Sequence, residues 1–419
     1  MRPNQHEWAQ RPVAPALVDR KPFSSFWGAG FESACHINKA GVRLDMVTAT
    51  QHDRWLDDDY AALQERGLTT VRETVRWHLV ETREGHFDFR TLEPMVETAK
   101  RHRLQILWTL CHYGWPDGLD LLSASFVSRF AAYCRAVASF LNAQSGSRPP
   151  VYTPINEMSF LAWAAGEIGW FYPFLTNRGA DVKRQLVRAC LAGITAIREV
   201  NPGARILTSE PLIHVVPETA SETHVEGAAR YRESQFEVSD MLMGHREPAL
   251  GGDGTCVDVV GLNFYHDNQW EYPSGRKLAW HVAPRDARWR PLRGLLREVC
   301  ERYGRPLYLT ETSHVGDGRA AWLRELSEEV HCAAEGGVPI LGVCLYPIVD
   351  RCGWDDARHW HNSGLWDLSS DVDGRLRRIV NREYAAVLEC VQERGALATF
   401  VRARADHTHC AREEQTNAE

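Results

Sequence analysis

The chain has 419 residues, of which 44 % are hydrophobic and 25 % charged, and its formal net charge is −7, from 48 basic and 55 acidic side chains. This composition is that of an ordinary globular protein, which excludes disordered and fibrous chains, and the acidic balance argues against a general nucleic-acid partner. No stretch approaches the ~18 consecutive apolar residues of a membrane-spanning helix, so no membrane partner is expected.

The two ends of the chain are more polar than the rest. Residues 1–22 and 401–419 are predicted to be extensions, which leaves 23–400 as one domain. The N-terminal extension lacks the apolar stretch of a secretory signal, and the eleven cysteines show neither CxxC pairs nor metal-ligand spacing. These features predict a reduced, cytoplasmic protein without a metal or other cofactor; a single disulfide stays an alternative.

Short apolar or β-branched runs alternate with longer amphipathic stretches through this domain. The runs occupy 26–33, 69–77, 104–113, 151–158, 204–212, 257–265, 306–314 and 339–350. Helices are predicted between them over 57–65, 92–102, 126–141, 183–200 and 320–335. Strands that alternate with helices pair in parallel through crossovers, and eight such units predict a single (β/α)₈ TIM barrel of the α/β class.

An open, doubly wound sheet is the competing architecture. Such sheets normally carry a glycine-rich turn after the first strand. Here the first run leads into SACHINKAG (33–41), which has no GxGxxG pattern. The closed barrel is therefore favoured.

Two of the runs contain a carboxylate near their ends. The fourth leads into Asn156 and Glu157, and the seventh into Thr310 and Glu311. Active sites of TIM barrels lie at the C-terminal ends of the strands, where these side chains are expected to face one cavity from opposite sides. Two facing carboxylates, one protonated and one ionised, are what cleavage of a glycosidic bond requires. Either glutamate alone is more often part of a structural ion pair, so the prediction depends on both.

Several motifs at the strand ends resemble glycoside hydrolase family 1, the β-glucosidase-type family of barrel glycosidases with catalytic glutamates after strands four and seven. The family's TFNEP segment is similar to TPINEM (153–158), and its ITEN segment to YLTET (308–312). Its opening FLWGAATSAYQIEG resembles FWGAGFESACHINKAG (26–41). Further similarities occur in the same order in TLCHYGWP, GLNFY and LYPIVDRCGW. The resemblance spans most of 26–368 but lies in separate motifs, which is typical of a divergent member.

The resemblance implies a retaining β-glycosidase that acts by double displacement. Glu157 would be the general acid/base, and Glu311 the nucleophile that forms a covalent glycosyl intermediate. The supporting residues implied are Asn156 at the sugar 2-hydroxyl, Arg72 and Tyr265 at Glu311, and Asn263. The implied substrate-binding residues are His36, His112, Tyr346 and Trp354, and the partner is a carbohydrate or glycoside.

Structural roles remain alternatives for several of these residues. Arg72 would then pair with acids of the barrel wall, and His112 would be a hydrogen-bonded structural histidine. Tyr265 and Asn263 end a strand, where they would serve only as packing at the barrel mouth.

The sequence departs from the family at positions that bind the sugar. His36 stands where the family has glutamine, and Tyr346 replaces the tryptophan beneath the sugar. Gly353 replaces a glutamate that grips two sugar hydroxyls. The space left there would admit a bulkier sugar, or Arg351 would favour an anionic substituent. Replacement contacts would alternatively come from Asp355, Asp356, His359 and His361. The substrate is therefore expected to be a modified or non-glucose sugar.

Three other functions are alternatives to hydrolysis. A transglycosidase would use the same two glutamates with a different acceptor, and a non-catalytic carbohydrate-binding barrel would keep the fold alone. A metal-dependent barrel hydrolase is disfavoured, because the HxH pairs at 359–361 and 407–409 do not follow the first strand. The sequence indicates neither the sugar nor the oligomeric state.

Overall fold

The computed structural model describes residues 23–144 and 149–394. The predicted extensions at 1–22 and 401–419, and the predicted domain end at 400, lie outside these residues. Within the described residues, every helix is too short or too polar to cross a lipid bilayer.

Eight parallel strands form the centre of the molecule and pair as a closed ring. The fifth strand is interrupted: its first part pairs with the fourth strand and its second part with the sixth. Both edges of the sheet thus belong to one strand, which closes the barrel and confirms the predicted fold. The strands are Trp27–Gly30 (β1), Thr70–Thr74 (β2), Gln105–Thr109 (β3), Val151–Thr153 (β4), Arg205–Ile206 with Glu210–Pro211 (β5), Val260–Asn263 (β6), Leu307–Thr312 (β7) and Ile340–Leu345 (β8).

Helices follow the strands and cover the outside of the barrel. The long helices are His52–Glu65 (α1), Glu93–Arg101 (α2), Ala124–Gln144 (α3), Gly179–Val200 (α4), Glu222–Glu233 (α5), Leu292–Tyr303 (α6) and Arg319–Glu335 (α7), and 382–394 are also helical. Short helical turns occupy Met46–Ala49, Trp77–Val80, Met158–Leu161, Ala162–Glu167, Ser234–Phe236, Glu237–Leu242, Pro248–Leu250 and Gly316–Gly318. Strand pairs outside the barrel are Glu81–Arg83 with His86–Phe87, His214–Pro217 with Gln269–Tyr272, and Trp366–Ser370 with Leu376–Val380.

The helix predicted over 57–65 begins earlier than expected. It starts at His52, because Gln51 adopts a left-handed backbone (φ 56°) that turns the chain out of the preceding helical turn. His52 and Leu56 are both buried in this additional first turn. The packing of the turn against the barrel therefore decides where the helix begins, which sequence periodicity does not report.

Aromatic residues of α3 pack against Trp77, which follows β2. Trp77 stacks on Tyr133 and meets Phe126 and Phe130 edge-on, with ring centroids 5.2–5.5 Å apart. The Tyr133 hydroxyl lies 2.9 Å from the carbonyl oxygens of both Val75 and Leu110 and can donate its one proton to either. These two carbonyls lie just beyond β2 and β3, so α3 fixes the strand ends that lead into the barrel mouth.

A buried ionic network holds β2 from its outer side. His52 contacts Asp59 through Nδ1 at 2.7 Å and Glu73 through Nε2 at 2.9 Å. Asp59 also accepts two hydrogen bonds from Arg378. Burial alone would lower the pKa of His52, but Glu73 and Asp59 outweigh burial and raise it to about 9. Because Glu73 follows Arg72 in β2, this network positions the strand that carries Arg72 into the barrel.

We expect this network to make stability depend on pH. The folded pKa of His52 lies above its ordinary value of 6.5, so its contribution is complete below pH 6.5 and is lost as the pH rises through about 9. The free energy of unfolding should fall by about 3 kcal/mol more in the wild type than in His52→Gln across this window. Chemical denaturation from pH 6 to 9.5 measures this difference. Parallel curves for the two proteins would contradict the assignment of a charged His52.

Candidate active site

Side chains from five barrel strands meet at the C-terminal mouth of the barrel. Arg72 lies in β2, Asn263 in β6 and Glu311 in β7. Asn156 and Glu157 follow β4, and Tyr346 follows β8. Arg72, Asn156, Asn263, Glu311 and Tyr346 are all buried. The closed barrel therefore brings together residues that are far apart in the sequence.

Glu311 is held by two donors. Arg72 Nη1 lies 2.5 Å from its Oε1, and the Tyr265 hydroxyl donates to its Oε2 at 2.6 Å. Arg72 also donates through Nη2 to Asn156 Oδ1 at 2.6 Å and through Nε to Thr109. Burial would lower the pKa of Arg72, but the charge of Glu311 outweighs this and raises it. One fixed guanidinium group therefore connects Glu311 to the segment that carries Glu157.

Glu157 stands on a tight turn. Its backbone is left-handed (φ 42°, ψ 59°), an uncommon conformation for a residue other than glycine, and its N–H donates to Ser209 O at 2.7 Å. The side chain accepts from Asn263 Nδ2 at 2.8 Å and from the Tyr113 hydroxyl. Burial raises the pKa of Glu157 well above its ordinary value, and the negative charge of Glu311 raises it further.

Glu210 positions the turn that carries Glu157. This buried carboxylate accepts hydrogen bonds from the backbone N–H groups of Met158 and Ser159, at 2.7 and 3.1 Å. These two groups begin the short helix Met158–Leu161, which starts directly after Glu157. A carboxylate at a helix N-terminus stabilises its unpaired N–H groups. Glu210 therefore stabilises the turn that holds Glu157 in its left-handed backbone conformation.

His112 joins the network on the other side of Asn156. Its Nε2 lies 3.2 Å from Asn156 Nδ2, and its Nδ1 lies 3.1 Å from Ser33 Oγ and 3.4 Å from the Tyr346 hydroxyl. Burial lowers the pKa of His112 well below its ordinary value, and the charge of Arg72 acts in the same direction. The imidazole is therefore neutral, and both of its ring nitrogens lie within hydrogen-bond distance of protein groups.

Aromatic rings surround His36 and Trp354. His36 stacks on Phe171 with centroids 3.6 Å apart, and Trp354 meets its ring edge-on at 5.1 Å. Phe160 and Trp170 complete this aromatic cluster beside Trp354. Apolar ring faces stack well on the carbon face of a pyranose, so the cluster offers a suitable wall for a sugar.

The positions at which the sequence departs from the family contact other parts of the chain. A Cβ atom on Gly353 would lie 2.9 Å from the carbonyl oxygen of Asp356, so a larger residue there would require this backbone to shift. Arg351 forms an ion pair with the buried Glu32, so its charge is already balanced. Asp355 accepts a hydrogen bond from Trp170 Nε1 at 2.9 Å, and His359 and His361 face each other with centroids 5.0 Å apart. Among residues 23–144 and 149–394, no cluster of three or more potential ligands could hold a metal ion.

Three residues of the site were not found by sequence reasoning. Tyr113 carries an unusual positive φ of 68° directly after His112, but a tyrosine in a turn gives no distinct sequence signal. Glu210 lies on the second part of the interrupted strand β5. Glu32 lies within the opening segment 26–41, but the resemblance implies no role for it. Their roles depend on tertiary contacts that neither periodicity nor motif spacing reports.

Comparisons with known proteins gave similarity only at the level of structure. Neither a family model nor a curated protein sequence matches this chain. Among solved structures, a β-glucosidase from Thermotoga maritima in complex with glucoimidazole aligns with a TM-score of 0.72 at 17 % identity, covering 88 % of this chain and 98 % of the other. A family 1 β-glucosidase from the same organism aligns with a TM-score of 0.69 at 16 % identity, covering 88 % and 97 %. A complex of such an enzyme with deoxynojirimycin gives 0.68 at 17 %, covering 88 % and 98 %. The chain therefore has the (β/α)₈-barrel fold of the family 1 β-glucosidases.

Proposed function

We propose that the protein is a retaining β-glycosidase that hydrolyses O-glycosidic bonds by double displacement. The observation that carries this proposal is the pair of glutamates at the barrel mouth in two different environments. Glu311 contacts a guanidinium group, whereas the burial of Glu157 and its negative neighbour raise its pKa. One carboxylate is thus prepared to attack as an anion and the other to donate a proton.

The two steps follow from these environments. In the first, a carboxylate oxygen of Glu311 attacks the anomeric carbon while Glu157 gives its proton to the departing glycosidic oxygen. In the second, the ionised Glu157 removes a proton from water, the water oxygen attacks the anomeric carbon, and Glu311 leaves with its electron pair. Two inversions at one carbon retain the β configuration.

Asn156 and His112 are proposed to bind hydroxyl groups of the sugar beside the anomeric carbon. Both are buried, and each is fixed by the hydrogen-bond network that also holds Arg72. His36, Tyr346 and Trp354 are proposed as further substrate contacts, and Tyr265 and Asn263 as the groups that hold the two glutamates. The fold of the β-glucosidases, solved with sugar-like inhibitors, supports a carbohydrate ligand.

A cytoplasmic location is part of the proposal. Ten cysteines of the described residues are free thiols, and seven of these are buried. Free thiols are typical of a reducing compartment, where they behave as small apolar side chains.

Hydrolysis of a panel of 2,4-dinitrophenyl and 4-nitrophenyl β-glycosides tests the function. We expect the wild type to release the phenol from the glycoside of at least one neutral sugar. The Glu311→Gln variant should not release the phenol at this rate. Saturable sugar binding without release of the phenol across the panel would instead identify a carbohydrate-binding barrel. Products that carry a second sugar would identify a transglycosidase.

A further inference from the structure

A second pair of oppositely charged side chains lies at the site and has no part in the two chemical steps. Glu32 directly follows Phe31 at the end of the first run and is only 4 % exposed. Its Oε1 accepts hydrogen bonds from the backbone N–H groups of Ser33 and Ala34, both at 3.0 Å, and its Oε2 lies 3.1 Å from Arg351 Nε. The carboxylate is therefore rigidly oriented before any ligand binds.

Hydrogen bonds connect this pair to the segment that carries Glu157. The Tyr346 hydroxyl donates to Glu32 Oε1 at 3.3 Å and also contacts His112 at 3.4 Å. His112 in turn contacts Asn156, the neighbour of Glu157. The charge of Glu311 contributes to a raised pKa of Glu32, for which burial is the main cause. Glu32 is thus connected to Asn156 by a chain of hydrogen bonds through Tyr346 and His112.

Polar groups beside this pair have no partner within the described part of the chain. Both ring nitrogens of His36 and the indole Nε1 of Trp354 are buried without a hydrogen bond. Burial lowers the pKa of His36 to about 3, so one nitrogen is a donor and the other an acceptor. The Arg351 guanidinium lies 5.0 Å from the Trp354 ring centroid, and the His36 ring lies 5.1 Å from it. Buried polar groups are normally hydrogen-bonded, so this cluster points to a ligand with several hydroxyl groups.

We propose that Glu32 and Arg351 form a specificity-determining wall of the sugar pocket that selects an uncharged glycon through its hydroxyl groups. The proposal rests on the proposed glycosidase function and names its substrate class. A hydroxyl group can donate to Glu32 while a neighbouring hydroxyl accepts from Arg351, both as charge-assisted hydrogen bonds. A carboxylate or phosphate on the sugar would instead approach the buried Glu32 carboxylate, and like charges at such a site repel strongly. The charge of Arg351 is balanced by Glu32, which removes the reason to expect an anionic sugar.

Matched sugars that differ by one charge test this wall. The substrates are 4-nitrophenyl β-D-glucoside and β-D-glucuronide, together with the corresponding galactoside and galacturonide. We expect the wild type to show a kcat/KM for the neutral sugar at least 100-fold above that for its uronide. Glu32→Gln should reduce kcat/KM for the neutral sugar about 100-fold, mainly through KM, and shift the ratio toward the uronide at least tenfold.

Arg351→Gln is the opposing variant and Glu329→Gln the control. Arg351→Gln leaves the Glu32 charge unbalanced, so the ratio of kcat/KM for the neutral sugar to that for its uronide should rise. In Glu32→Gln the same ratio should fall, whereas structural damage would change it in the same direction in both variants. Glu329 is a buried acid paired with Arg293 on the outer helices, and its variant should keep the wild-type ratio. The proposed role of Glu32 and Arg351 is overturned if this kcat/KM ratio changes in the same direction in both variants. It is also overturned if the wild type prefers the uronide. If the wild type cleaves none of the four substrates but binds the neutral sugars, the proposed function fails instead.

Discussion

Replacing Glu311 by alanine is expected to reduce kcat for every aryl β-glycoside by on the order of 10⁴-fold or more, because no other group can form the covalent intermediate. Glu311 is buried and lies within 2.5 Å of Arg72. Azide or formate should partly restore turnover in this variant, since a small anion can enter the space left by the carboxylate. The rescued product should have the inverted configuration, because the anion attacks once from the face that Glu311 occupied.

Loss of Glu311 also leaves the Arg72 charge unpaired in the barrel. Breaking one side of a buried ion pair costs about 3–5 kcal/mol, so thermal unfolding must be followed alongside activity. Glu311→Gln keeps the shape of the side chain and separates loss of the nucleophile from loss of the fold. Near-normal activity in a folded Glu311→Gln protein would contradict the assignment of the nucleophile.

Replacing Glu157 by glutamine is expected to separate substrates by their leaving groups. For glycosides with poor leaving groups, kcat/KM should fall by about 10²–10⁴-fold, because the departing oxygen needs a proton. For 2,4-dinitrophenyl glycosides, the same variant should keep most of the rate of the first step, since that leaving group departs as an anion. The ratio of the two losses is the readout, and equal losses would show that Glu157 does not act as an acid.

The pH dependence of kcat/KM gives the same assignment an independent check. The pKa of Glu157 is raised by burial and by Glu311, so the protonated acid persists into the alkaline range. Activity toward poor leaving groups should therefore fall only as the pH rises through this elevated pKa. Glu157→Gln should lose this alkaline limb, because its amide does not titrate in that range.

The barrel was largely predictable because its strands lie in short apolar or β-branched runs that alternate with amphipathic stretches. Residues 69–77 and 306–314 contain the buried strands β2 and β7, as expected for strands covered on both faces. The ends were less predictable, since the run 151–158 stops being a strand at Thr153, where the chain turns toward Glu157. The run 204–212 is broken after Ile206, because the chain there changes from pairing with β4 to pairing with β6.

The residues of the site could be predicted only where they stand in a recognisable sequence motif. Asn156, Glu157 and Glu311 stand in short segments whose order along the chain is informative. Glu32 and Glu210 become significant only when the ring closes and places them against Arg351 and against the helix after Glu157. The contacts of Glu32 and Glu210 are made between segments that are distant in the sequence. No local sequence pattern therefore predicts their roles.

The configuration of the first product tests the central claim most directly. Proton NMR during the first minutes of hydrolysis of a β-glycoside distinguishes the two anomers before they interconvert. The double displacement at Glu311 predicts that the β anomer appears first and the α anomer only later by mutarotation. Initial release of the α anomer would mean that water attacks the substrate directly, which would contradict a covalent intermediate on Glu311.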